Sequence, residues 1–264
     1  MIPRRELTLL AAASGVDEKA QEHDYVLTWL LAARSTLGPS TLVFKGGTAL
    51  KKCYFKDYRY SEDLDFTLDD KGNLGEVPGC VRKWFEFVRN ESGVDCSFEK
   101  EPEFKPGTLK CDIRYVALLP RNRTIKVDVT DAELLVEPAE RRPLLADYSD
   151  VAGREYCIET YGLAEIFAEK VRSLVQRSEP RDLYDLVEIS EHDRNVAANA
   201  LPVYLKKISD KGVAKDRLLE RFDSSEALFK KNWETRLAPH VRDLGQFDDY
   251  WRRGRRALRV GGYL

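Results

Sequence analysis

The sequence is poor in the residues that build thiolate metal sites and disulfide scaffolds. Among 264 residues there are five cysteines and three histidines. No two of Cys53, Cys80, Cys96, Cys111 and Cys157 stand at C-x-x-C spacing, their number is odd, and His23, His192 and His240 are scattered. A zinc site and a disulfide framework are therefore excluded as organising features. Long apolar runs are missing too, so no membrane-spanning helix and no membrane partner are expected. The opening Ile2-Pro3-Arg4-Arg5-Glu6 leads into a short mixed stretch and not into the apolar region of a signal peptide. A cytoplasmic, reducing location is the expectation. Charge of one sign is not in excess either: 43 Lys and Arg face 45 Asp and Glu, for a net charge of -2. Any nucleic-acid partner would have to be met by a local patch.

What is present suffices for a packed core. Hydrophobic residues make up 43% of the chain, and its 33% of charged residues are well mixed in sign, as in an ordinary folded protein. Apolar positions at helical spacing predict helix over residues 3–37, stopped by Gly38-Pro39-Ser40. Thr41 to Phe44 reads as a short buried strand, Gly46-Gly47 breaks it, and Thr48 to Phe55 reads as a helix. A second strand is predicted over Asp63 to Leu68, followed by a turn-rich stretch from Asp69 to Gly79 and a helix around Val81 to Val88. Strands are expected again around Cys111 to Leu118 and Ile125 to Thr130. From Leu163 onward the pattern is helical. Mixed strands and helices followed by helices alone predict an α+β protein: a mixed β-sheet core over residues 1–155 and a helical C-terminal domain over 156–264.

The chemistry is concentrated in three places. Strand periodicity puts Asp63 and Asp65 on one face and Leu64 and Phe66 on the other. Two neighbouring carboxylates repel, so they are stable when solvated or when a cation neutralises them, and hard oxygen ligands suit magnesium or manganese. In Ile125-Lys126-Val127-Asp128-Val129-Thr130 the apolar residues face the core and Asp128 points away, a third carboxylate for the same site. Upstream, the strand–Gly46-Gly47–helix order offers free backbone N–H groups at a helix start, which is a phosphate site by dipole and geometry, with the Thr48 hydroxyl beside it. Taken singly, Gly-Gly is a turn and D-x-D a solvated face. Their order along the chain is what carries the signal.

The helical half adds Lys170, which sits within the apolar stripe of Leu163, Ile166, Phe167, Val171 and Leu174. Two readings stand there: an amine that snorkels to solvent from a buried stem, or one that reaches a triphosphate. In Arg181-Asp182-Leu183-Tyr184-Asp185 the two aspartates share a helix face and could approach Lys170, or cap and pair at a first helical turn. The cluster Trp251 to Arg259 offers arginines for RNA phosphates and Trp251 or Tyr250 for stacking, or a solvated helix end paired with Asp248 and Asp249.

Phe44-Lys45-Gly46-Gly47-Thr48-Ala49-Leu50 followed by Arg59-Tyr60-Ser61-Glu62-Asp63-Leu64-Asp65-Phe66 resembles the AbiEii/AbiGii toxin group of nucleotidyltransferases, within the DNA polymerase β-like superfamily. The resemblance covers residues 24 to about 190. It implies an NTP-dependent enzyme that releases pyrophosphate, uses Mg2+ or Mn2+, and adds a nucleotide to an acceptor hydroxyl, in several cases the 3′ end of tRNA. It also implies a toxin with a separately encoded antitoxin. On this resemblance Asp63, Asp65 and Asp128 hold the metal, Gly46, Gly47, Thr48 and Ser61 position the triphosphate, and Lys170 and Asp182 match the family's lysine and Arg/Lys-Asp pair. The common superfamily turn is Gly-Ser; with Gly47 here, that phosphate contact falls to the backbone, Thr48 or Ser61. A protein nucleotidylating enzyme, a phosphotransferase or a catalytically idle nucleotide-binding module are the alternative readings.

Overall fold

The computed structural model describes residues 1–69, 72–212 and 217–264. Asp70 and Lys71, within the predicted turn stretch, lie outside the described residues. By its contacts the chain divides into two units, Met1–Glu133 with Ala139–Tyr161 and Leu134–Pro138 with Gly162–Leu264.

The first unit starts with α1 (Arg4–Ser14) and α2 (Glu18–Leu37). Asp17 caps α2 by accepting from the Ala20 N–H at 2.7 Å, and the helix stops at Gly38, whose N–H makes the last bond to the Arg34 carbonyl and whose φ of 71° turns the chain out of the helix. Tyr25 to Arg34 are all buried, so α2 is a central helix with no solvent stripe. β1 (Leu42–Lys45) runs directly into α3 (Gly46–Ala49), which continues as a π-helical turn over Leu50–Tyr54. The helix thus begins at the glycines, two residues earlier than the sequence predicts.

β2 (Leu64–Leu68), α4 (Val77–Ser92), β3 (Asp95–Phe98), β4 (Glu103–Lys105), β5 (Thr108–Val116), β6 (Arg123–Thr130), β7 (Glu140–Pro143) and β8 (Cys157–Thr160) complete the unit. Its eight-stranded sheet has the order β3-β5-β6-β2-β1-β8-β7, with β4 added beside β5. β2–β6 and β1–β8 are parallel and the other pairings antiparallel, so the sheet is mixed. Four short strands, β3, β4, β7 and β8, carried no clear alternation in the sequence. One face of the sheet is apolar: Phe44, Leu64, Phe66, Leu109, Cys111, Ile113, Ile125, Val127 and Val129 are buried. α4 presents Val77, Val81, Trp84 and Val88 at helical spacing, and Trp84 lies 6.3 Å from the Phe66 ring.

The second unit is helical: α5 (Leu163–Gln176), α6 (Pro180–His192), α7 (Val196–Asp210), α8 (Arg217–Ser224), α9 (Glu226–Leu237) and α10 (Phe247–Val260). The protein is therefore α+β, as its sequence pattern predicts. Residues Leu134–Pro138 are held in this unit by two buried charges. The Glu165 carboxylate accepts from the Val136 and Glu137 N–H groups at 3.1 Å each, and Lys207 bridges Glu165 at 2.7 Å and the Leu134 carbonyl at 2.7 Å. Among the described residues, no helix is long and apolar enough to cross a membrane.

Candidate active site

The glycine turn after β1 is shaped by what closes in on it. Gly46 has a φ of +80°, where a side chain is strained, and a Cβ there would stand 2.7 Å from Asp65 Oδ2. A Cβ on Gly47 would overlap the Arg59 guanidinium and come within 3.4 Å of Ser61 Oγ. Both glycines are required because Asp65, Arg59 and Ser61 converge on the turn backbone. The Lys45 side chain does not cap the helix start, and the first N–H groups of a helix have no intrahelical acceptor, a geometry that suits an anion. The Thr48 hydroxyl is committed elsewhere: it is buried and donates to the Asp63 carbonyl at 2.6 Å, tying the turn to the segment that leads into β2.

Arg59 is 5% exposed, and its Nη1 donates to the Tyr60 carbonyl at 3.2 Å. It has no periodic signal of its own in the sequence; its place at the head of the Arg59–Phe66 block was the pointer to it. Behind the turn, Lys51 donates to the Tyr58 carbonyl at 3.2 Å with its ammonium 4.0 Å from the centre of the Tyr60 ring, and Tyr60 donates to Gln21 at 2.5 Å. Burial pulls the Lys51 amine below its ordinary pKa, partly offset by Asp24. Lys52 completes this base by pairing with Asp24 at 2.6 Å, and Tyr148 donates to the same Asp24 oxygen at 2.7 Å. The loop that carries Arg59 and Ser61 is thus held by a buried polar network.

The carboxylates are arranged by strand register. Lys45 of β1 is matched with Asp65 of β2, Asp65 with Asp128 of β6, and Asp128 with Lys110 of β5. Matched residues on adjacent strands share a face, so the sheet carries a row Lys45–Asp65–Asp128–Lys110 opposite the apolar core. Two carboxylates side by side repel; here a lysine stands on each flank. Lys110 lies 3.5 Å from Asp128, and both side chains are about half exposed, at 51% and 45%. Asp63 departs from the sequence expectation. β2 begins at Leu64, so Asp63 stands one residue before the strand, where its carbonyl accepts from the Thr48 hydroxyl. As the side chains stand, no group of three or more His, Cys, Asp or Glu among the described residues is gathered closely enough to hold a metal ion.

Lys170 and Asp182 belong to the helical unit, where they form a different kind of cluster. The Lys170 ammonium lies 3.0 Å from Asp182 and 2.6 Å from Asp185, and Arg177 Nε lies 2.9 Å from Asp182. Both aspartates are fully buried. Burial pushes the Asp182 carboxyl up, but Lys170 and Arg177 more than reverse this and hold it below its usual value. The amine therefore does not snorkel; it is enclosed between two carboxylates. In α10, Arg252 and Arg253 pair with Asp249, Arg253 also with Glu191, and Arg255 with Asp223. Trp251 stacks on Phe222 at 4.1 Å, and Tyr250 stacks on Tyr184 and donates to Glu188 at 2.6 Å. Neither ring is open to a nucleobase.

The profile of the family described as nucleotidyl transferase AbiEii toxin, type IV toxin–antitoxin system, matches residues 29–253. Among solved structures, the chain is similar to MenT4, a nucleotidyltransferase toxin from Mycobacterium tuberculosis H37Rv, with a TM-score of 0.68 at 21% identity over 98% of this chain and 90% of that one. No curated protein matches the sequence.

Proposed function

The chain belongs to the AbiEii family of nucleotidyl transferase toxins of type IV toxin–antitoxin systems, and from that membership we propose that it moves a nucleotide from an NTP to an acceptor hydroxyl at the 3′ end of tRNA. The observation that carries this reading is the pairing of Asp65 with Asp128 on one sheet face, with Asp65 abutting the Gly46-Gly47 turn. The donors there are oxygen only, which fits magnesium or manganese by kind. Asp63, Asp65 and Asp128 would hold such an ion; it would withdraw charge from the triphosphate and favour ionisation of the attacking hydroxyl.

The remaining steps fall to the chain's own groups. The Gly46 and Gly47 backbone and the Ser61 hydroxyl receive the triphosphate, and Thr48 fixes the turn at the distance its hydrogen bond dictates. Arg59, against Gly47, supplies positive charge beside them. Asp128 helps accept the proton of the acceptor hydroxyl, whose oxygen attacks the α-phosphate in line as the bond to pyrophosphate breaks. Lys170 and Asp182 form an enclosed ion cluster with Asp185, which is assigned to holding the geometry of the helical unit. A separately encoded antitoxin protein is the proposed partner, and the cytoplasm the proposed location.

The test is incubation with each α-labelled NTP, magnesium and total tRNA, beside Asp65→Ala. Label on tRNA that the variant loses is the expected result. Label on protein would replace the acceptor, and full activity in Asp65→Ala would overturn the assignment.

A further inference from the structure

Resting on the transferase reading, we propose that the open face of β5 and β6 is the path by which a single-stranded nucleic-acid acceptor reaches the carboxylates, and that Lys110 changes partner from Asp128 to an acceptor phosphate when the metal binds. Alternation along these strands sends Leu109, Cys111, Ile113, Ile125, Val127 and Val129 into the core. The opposite face carries Lys110, Asp112 and Arg114 on β5 and Thr124, Lys126 and Asp128 on β6, matched as Lys110–Asp128, Asp112–Lys126 and Arg114–Thr124. Successive matched pairs on this face are about 7 Å apart along the strands. Each pair leading away from Asp128 contains one basic side chain, and Lys110, Lys126 and Arg114 are all exposed.

The ion pairs on this face leave its cations available. Asp112 lies 3.3 Å from Lys100, and Arg114 is 3.8 Å from Glu99, a long pair between half-exposed groups. Lys126 has no ion-pair partner among the described residues. Lys110 is paired with Asp128, the carboxylate on which the transferase reading places the metal. An exposed pair of this length contributes little, so Lys110 would be free to leave Asp128 if a divalent ion were held there, and would then stand beside the place where the acceptor hydroxyl must arrive. A ladder of cations that ends at a metal site complements a regular row of phosphates. A protein acceptor offers no such row.

Lys110 therefore has two opposed effects, and the test measures both on Lys110→Ala and Lys126→Ala. Calorimetric titration with Mn2+, without nucleotide, should show Lys110→Ala binding the metal about threefold more tightly, because a competing cation is gone. With saturating Mg2+, a labelled single-stranded RNA oligonucleotide should bind each variant about fivefold more weakly. The slope of log affinity against log salt should fall by ~0.7 for each phosphate that the variant no longer neutralises. Weaker metal binding by Lys110→Ala, or unchanged RNA affinity and salt slope in both variants, would overturn the proposal. Nucleotide transfer to RNA with unchanged RNA affinity in the variants sinks the path alone. Transfer to protein, with no RNA bound by the unaltered enzyme, sinks the path and the tRNA acceptor together.

Discussion

Two groups of charges of similar composition meet opposite fates in this molecule. On the sheet, Asp65 and Asp128 stand between Lys45 and Lys110, partly open to water. In the helical unit, Asp182 and Asp185 enclose Lys170 with almost no exposure. Water decides what each group is good for. Ions that keep part of their hydration exchange partners at little cost, as a metal-exchanging, substrate-binding surface requires. Ions stripped of water depend on one another, and removing one strands the rest. The first arrangement suits turnover, and the second fixes a single geometry.

Asp65→Ala tests the contrast most severely. Nucleotide transfer should fall by at least ~10³-fold, while urea unfolding shifts by less than about 1 kcal/mol. A large loss of stability with activity retained would reverse the roles assigned to the two clusters. Next in size, Lys170→Met should cost about 3–5 kcal/mol in urea unfolding, because two buried carboxylates lose their cation. Replacing Lys170, Asp182 and Asp185 together by Met, Leu and Leu should recover much of that loss; a single variant as stable as the parent would show that the cluster is not mutually dependent.

Gly47→Ala should cost about 1 kcal/mol, since its methyl group must displace the Arg59 guanidinium. NTP affinity should fall with it; urea unfolding measures the first change and isothermal titration the second, each against the parent. The acid limb offers a finer probe. Asp182 has a depressed pKa in the fold, so the stability it lends is complete above its usual 3.8 and is lost as the pH falls through the depressed value. As the pH falls below about 3.8 the parent should lose more stability than the triple variant, and equal losses in urea unfolding would show that Asp182 is not held by its cations. At the small end, Lys110→Met should alter stability by less than ~0.5 kcal/mol, and a larger change would mean that the sheet row is structural.

What the sequence disclosed follows a physical line. Gly46-Gly47, Asp65 and Asp128 are legible because glycine breaks and two-residue alternation are local patterns that neighbouring residues enforce. The partnership of Asp65 with Asp128 was not legible, because a parallel pairing of β2 with β6 is set by packing across some sixty intervening residues. Lys110 opposite Asp128 was hidden for the same reason. The spacing puts Asp63 in the strand, but spacing holds no information about a threonine hydroxyl fifteen residues earlier that donates to its carbonyl. Lys170 stood out as a lysine in an apolar stripe, but periodicity cannot tell a side chain that escapes to solvent from one met by two aspartates on the next helix. Composition records the Trp251 ring and not the Phe222 stacked on it.

The hold of Glu165 and Lys207 on residues Leu134–Pro138 has a consequence for how the protein is made. During synthesis this five-residue segment leaves the ribosome well before either of the side chains that bind it, the later one some seventy residues downstream. Until then the Leu134 carbonyl and the Val136 and Glu137 N–H groups must be satisfied by water or by a chaperone. The nascent α+β unit can form its sheet in the meantime, but a fragment that begins at Gly162 would bury Glu165 without the amides it receives in the whole chain.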